Sequence, residues 1–134
     1  MHTRNELHEI LYVSTIAADM PIRVVADIAA KSRSNNQRLG ITGLLVFDGM
    51  HFCQQFEGRG QEVADLKELI RNDPRHTDVA LLHHGPLDHR RFNRFSLGYT
   101  SVEDVDELDR LRHLKGQPAV DAFVALLATL DVDG

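Results

Sequence analysis

"GITGLLVFDGMHFCQQFEG", residues 40–58, reads as two apolar strands joined by a tight turn, and the rest of the fold is built around it. "ITGLLVF" and "HFCQQFE" have strand composition, and Asp48-Gly49 between them supplies the positive-φ chemistry of a short hairpin. The second strand carries one anomaly. Alternation puts Gln54 on the face of Phe52 and Phe56, so an amide with four hydrogen-bonding sites lies between two rings that offer none.

Working outward, "LHEILYVS" (7–14) is a strand with apolar groups on both faces, Ile10 and Tyr12 on one and Leu11 and Val13 on the other. Between it and the hairpin, "DMPIRVVADIAAKSRSNNQRLG" (19–40) predicts a helix with Asp19 as cap, Pro21 in the first turn and Gly40 just past the end. Its inward stripe, Ile22, Val25, Ala29, Ser32 and Asn36, begins apolar and ends polar. After the hairpin, "GQEVADLKELIRNDP" (60–74) predicts a second helix with Val63, Leu66, Leu69 and Ile70 inward and Pro74 as the stop. Asp73 extends that stripe. "DVALLHHGPL" is a fourth strand, broken at Gly85-Pro86, and "FSLGYTS" a fifth. Two helical segments, "VEDVDELDRLRHL" and "PAVDAFVALLATL", close the chain, split by "KGQP".

This order predicts an α+β fold, a ferredoxin-like βαββαββ sheet with two helices on one face. A C-terminal helix pair is expected to cover the other face, because Phe123, Leu126, Leu127 and Leu130 need burial. The expected organisation is a core over 1–101 and capping helices over 102–134, within one compact domain. Length and composition agree: 134 residues with 43% hydrophobic content support one core.

Other readings are excluded by composition. A formal charge of -5 with scattered basic residues argues against nucleic acid, and no apolar run approaches a membrane span. A single cysteine, Cys53, and the absence of a secretory signal point to the cytoplasm. No metal site is expected, since His83 and His84 are adjacent on a strand, point to opposite faces and read as surface or edge residues. Cys53 reads as a buried structural thiol, and "HRRF" (89–92) as a solvated basic turn.

Tyr12, Asn36 and Gln54 are then three polar groups pointing where the pattern expects core. Taken singly, each is best read as satisfied by its neighbours or by nearby backbone. Together, between two helices, they would suit a planar heterocycle with carbonyl and ring-nitrogen edges, a flavin-shaped inference.

Five short motifs stand in order on these elements: "YVS" (12–14), "SRSNN" (32–36), "GITGLL" (40–45), "FCQQFEG" (52–58) and "DPRH" (73–76). On these the chain resembles the BLUF domain, the blue-light sensor that uses flavin, from residue 7 to about residue 101. The resemblance implies a non-covalently bound flavin, FAD first with FMN and riboflavin as alternatives, held between the two helices. Asn36 would hydrogen-bond its carbonyl edge, helped by Asn35 and Ser32, with Phe52 among the cofactor-binding residues. Asp73, Arg75 and His76 match the segment that meets the ribityl chain and ring edge. Tyr12 and Gln54 match the photochemical pair: excited flavin takes an electron and a proton from Tyr12, Gln54 bridges phenol and ring, and back transfer leaves Gln54 rearranged.

The chain departs from its relatives on the fifth strand. Phe95, Ser96 and Leu97 stand where Trp-Ser-Met is usual in the signal output, and the sequence contains no tryptophan. Neither Phe95 nor Leu97 can exchange a hydrogen bond with Gln54. The reading is thus a short, stand-alone photoreceptor, not an enzyme, that signals through an unidentified downstream protein or its own oligomer. The alternative is an interaction module on the same fold whose light response is lost or weakened.

Overall fold

Around the hairpin the chain lays down β1 (Leu7–Ile16), α1 (Arg23–Leu39), β2 (Thr42–Phe47), β3 (His51–Arg59), α2 (Gly60–Arg71), β4 (His76–Pro86), β5 (Phe95–Tyr99), α3 (Asp106–Leu111), α4 (Gln117–Leu127) and β6 (Asp131–Asp133). The structure is a computed structural model and describes residues 6–17, 21, 23–73, 76–92, 95–99, 106–127 and 131–133. Asp19, Ile22, Pro74, Arg75 and Leu130 lie outside the described residues, as do the side chains of Val25, Ala29, Ser32, Asn35, His76, Phe95, Ser96 and Leu97.

The hairpin forms where the sequence predicts it. Asp48 closes the turn, its Oδ1 accepting the backbone N–H of Met50 at 2.9 Å and of His51 at 2.7 Å, while Gly49 takes a φ of 104°. Gly43, at a φ of 150°, lies against β3, and a Cβ there would overlap the carbonyl oxygen of Gln55. Only glycine lets β2 and β3 close at that point.

The strands order as β4-β1-β3-β2-β5-β6. Neighbours are antiparallel except β2 and β5, which run parallel. The first four strands are the expected split βαβ arrangement. Ile10, Tyr12, Leu45, Phe52 and Phe56 pack on one face with Val63 and Ile70 of α2. Leu11, Val13, Leu44, Val46 and Cys53 pack on the other with Leu108, Leu111, Val120, Phe123 and Leu126 of α3 and α4. Two covered faces explain why β1 is apolar on both sides.

Several local expectations need correction. Leu69 is 68% exposed, because the sheet covers only the line of Val63, Leu66 and Ile70 on α2. The fourth strand begins at His76 and is not broken at Gly85-Pro86: Pro86 pairs with His8, which an edge strand tolerates because the missing N–H is not needed there. Beyond α4, residues 131–133 add a sixth strand on β5 where only capping helix was expected.

The "HRRF" turn is not simply solvated. Arg90 donates to Thr42 Oγ1 at 2.8 Å, to the Gly40 carbonyl at 2.9 Å and to the Glu57 carbonyl at 3.1 Å. Arg91 pairs with the Glu9 carboxylate at 3.2 and 3.3 Å. The backbone N–H groups of Arg91 and Phe92 donate to the Glu57 carboxylate at 2.9 and 2.7 Å. Gln55 Nε2 joins the two acids, at 3.2 Å from Glu9 and 3.3 Å from Glu57. His83 lies on the edge strand β4, as expected, with its Nε2 3.5 Å from Glu9. The cause is burial: Glu9 is 4% and Glu57 0% exposed, and carboxylates so far from water draw in cations and N–H donors.

Candidate functional site

Register decides which side chains meet. Pairing of β1 with β3 sets Tyr12 opposite Gln54, pairing with β4 sets Leu81 on its other flank, and Gln54 lies opposite Leu45 of β2. These residues form one row across four strands, and Tyr12 and Leu45 in it belong to the cluster packed on α2. Tyr12 is 3% and Gln54 2% exposed. The Tyr12 ring stacks on Phe56, with centroids 6.0 Å apart and planes at 25°. Its phenol is held well above the usual tyrosine range, by burial first and then by the nearby Cys53 and Asp73. Tyr12 is therefore a neutral O–H donor at physiological pH.

Asn36 lies in the last turn of α1. Its carbonyl accepts the N–H of Ile41 at 2.8 Å, which turns the chain into β2 and leaves the side chain 1% exposed. Neither Oδ1 nor Nδ2 has a hydrogen-bond partner among the described residues. Each buried polar atom left so costs about 1–3 kcal/mol, so among the described residues this amide has an unmet donor and an unmet acceptor. Phe52 is fully buried, its ring 4.9 Å from that of Phe47. Asp73 follows α2, half-buried, its N–H donating to the Ile70 carbonyl at 3.1 Å.

The remaining expected site residues are placed by backbone alone. Ser32 and Asn35 lie on α1 and His76 opens β4, while Phe95, Ser96 and Leu97 lie on β5; Arg75 is outside the described residues. The parallel register of β5 with β2 sets Leu97 beside Leu45, extending the Tyr12–Gln54 row. A cavity of about 230 Å³ opens beside Tyr12 between α2, β1 and β4, lined by Lys67, Ile70, Arg71, Val79 and Leu81. Cys53 lies on the opposite face, where burial pushes its thiol up and keeps it from acting as a thiolate nucleophile. Among the described residues no group of three or more His, Cys, Asp or Glu is disposed to hold a metal.

Sequence reasoning missed the second polar set, Glu9, Gln55 and Glu57, which lies on the face away from Gln54. The signal was present, since the alternation that singles out Gln54 puts Gln55 and Glu57 together on the other face.

The family model of BLUF, sensors of blue-light using FAD, matches residues 7–98. The chain belongs to the BLUF family. It is 31% identical over 88 residues to the blue light- and temperature-regulated antirepressor BluF of Escherichia coli (strain K12), a match covering 66% of this chain and 22% of that protein. It is 33% identical over 86 residues to the photoactivated adenylate cyclase subunit beta of Euglena longa, covering 64% of this chain and 10% of the cyclase subunit. The chain thus spans less than a quarter of the length of either. Among solved structures, the BLUF protein BlrB in its dark state matches with a TM-score of 0.78 and 31% identity, over 94% of this chain and 98% of BlrB.

As a BLUF domain the chain is a blue-light sensor module that uses flavin. The residues present fit that cofactor. The amide of Asn36, unpartnered among the described residues, has the donor and acceptor that a ring edge of alternating carbonyl and nitrogen would need. Among the described residues no helix is long and apolar enough to cross a membrane.

Proposed function

We propose that the Tyr12–Gln54 pair is the light switch of this BLUF domain, and that Asn36 holds the flavin over it, helped by Asn35, Ser32, Phe52, Asp73, Arg75 and His76. The observation that carries this reading is the register: Tyr12 and Gln54 are cross-strand partners, both buried, and the buried Asn36 amide near the end of α1 has no hydrogen-bond partner among the described residues. When bound, the flavin supplies absorption of blue light and a strongly oxidising excited state. Tyr12 provides the electron and the phenolic proton, which its environment keeps in place until light arrives. Gln54 can donate and accept at once, so its amide can rotate or tautomerise and return with a new hydrogen-bond pattern and no covalent change. Asn36 fixes the orientation of the ring and stays put.

The domain is a sensor and not itself an enzyme, and its output is changed association with a partner protein or with its own copies. Within 102–134, α3 and α4 act as a cap on the same unit as the core over 1–101, a reading supported by the packing of Leu108, Phe123 and Leu126 on the sheet. FAD is the cofactor expected, a cytoplasmic setting the expected location, and neither nucleic acid nor membrane is a partner. Relatives named for an antirepressor and for adenylate cyclase subunits put this domain to different uses, so the partner has to be found for this chain.

The test is direct. Purified protein is expected to carry flavin whose absorption shifts to the red in blue light and reverts in darkness, and Gln54→Leu is expected to abolish the shift. Phe95 and Leu97, in place of Trp and Met, favour one competing reading, an interaction module with a lost or weakened response. Colourless protein that refuses added flavin, or yellow protein that never shifts, would establish that reading instead.

A further inference from the structure

We propose that the turn between α3 and α4, residues 112–116, is a latch on the edge strand β4 and carries the light signal from the Tyr12 row into α4. This rests on the assignment of Tyr12 and Gln54 as the switch, and it supplies an outlet that the residues of β5 do not.

The pairing of β4 with β1 slips twice, between Leu11 and Tyr12 and again between Val13 and Thr15. The two slips bracket Tyr12 and Val13. Bulges of this kind leave backbone groups unpaired and let a strand bend locally, so they are the soft points at which a strand can move. At the outer slip Asp78 takes a φ of 51°, a conformation rare for a residue with a side chain.

Both slips are held by the same short segment. At the outer one, an Arg112 guanidinium nitrogen donates to the Asp78 carbonyl, and its other terminal nitrogen reaches Thr15 Oγ1 at 3.3 Å. At the inner one, Lys115 Nζ donates to the Leu81 carbonyl at 3.0 Å, and the Gly116 N–H donates to the Leu82 carbonyl at 2.8 Å. Leu81 is the residue paired with Tyr12. Gly116 immediately precedes α4, its carbonyl accepting the N–H groups of Ala119 at 3.1 Å and Val120 at 3.2 Å. A continuous run of hydrogen bonds therefore leads from the strand beside Tyr12, through Leu82 and Gly116, into the first turn of α4.

The mechanics follow from these bonds. A shift of Tyr12 when Gln54 rearranges is taken up at the nearest slip, which moves the Leu81 and Leu82 carbonyls. Lys115 and Gly116 must then follow or let go, and either outcome displaces the start of α4. The route needs no hydrogen bond from Phe95 or Leu97. It also covers carbonyls that an edge strand would otherwise offer to another chain, so release of the latch opens β4 for association.

The experiment uses the full chain with its flavin and compares wild type, Arg112→Gln/Lys115→Met and the single variant Lys115→Met, which alters an exposed side chain and guards against misfolding. Absorption reads the primary switch, and hydrogen exchange in light and dark reads residues 112–127. In wild type the exchange of this segment is expected to rise in light. In the double variant the red shift is expected to remain at full size, while the light-minus-dark exchange difference falls about fivefold or more, with Lys115→Met intermediate. A difference confined to residues 95–99 in wild type, or one undiminished in both variants, overturns the latch and leaves the Tyr12–Gln54 switch standing. Absence of any red shift in wild type overturns the switch, and the latch falls with it.

Discussion

Asn36 is the residue whose burial makes least sense without a ligand, since both polar atoms of its amide are sealed from water and unpartnered among the described residues. Asn36→Ala is expected to weaken flavin binding about tenfold to a hundredfold, the value of two hydrogen bonds, as read by fluorescence titration of released flavin. Tyr12→Phe removes only the hydroxyl from a ring stacked on Phe56, so fold and flavin content should survive. Because the chain has no tryptophan to act as a rival electron donor near the flavin, transient absorption should show flavin photoreduction almost lost in that variant. Undiminished reduction would contradict the role given to Tyr12. The same phenol sets an alkaline limit on stability. Its folded pKa is raised while the unfolded one lies near 10, so the contribution of Tyr12 is complete below about pH 10 and is lost as pH rises through the folded value. Chemical denaturation from about pH 8 to about pH 11 should show that loss in wild type and less of it in Tyr12→Phe.

Among the elements, the β2–β3 hairpin and the turn at residues 89–92 depend on a few side chains each. Gly43→Ala places a Cβ on the Gln55 carbonyl and demands a left-handed φ, and a loss of about 2–4 kcal/mol is expected in denaturant titration. Arg91→Ala removes the guanidinium from the buried Glu9 carboxylate and leaves it Gln55 Nε2 and His83 Nε2. The loss expected is about 2–3 kcal/mol, reduced from the fully buried case because the Arg91 side chain is 30% exposed. These elements differ in how far the sequence reveals them. The hairpin and α2 are legible because apolar spacing and turn chemistry agree over many residues, and β1 because both its faces are apolar. The role of the arginines is not legible: Arg91 finds Glu9 across 82 positions and Glu57 across 34, so locally the turn looks like solvated charge. β6 spans three residues, too few to show any period. Leu69 fails for a related reason, since helical spacing gives the direction of a side chain and not the width of the sheet below it.

At the scale of the whole molecule, the sheet separates two chemistries. One face joins Tyr12 and Phe52, with Gln54 between Phe52 and Phe56 on their strand, to α2, and the other buries Glu9, Gln55 and Glu57 beside the apolar contacts of α3 and α4. Of the site, Tyr12, Gln54 and Asn36 are readable from sequence because each breaks an apolar pattern. The links from β4 to α3 and α4 are not, because they end on backbone carbonyls that any sequence would supply. In the proposed switch, light is received on the face of Tyr12 and Gln54, and the strands β1 and β3 belong to both faces. The claim on which this account depends is that the Tyr12–Gln54 pair converts absorbed light into a changed hydrogen bond. The light-minus-dark absorption spectrum of wild type beside Gln54→Leu tests it most directly. A reversible red shift of the flavin band in wild type, absent in the variant at equal flavin content, is the result predicted; a shift that persists in Gln54→Leu would contradict it.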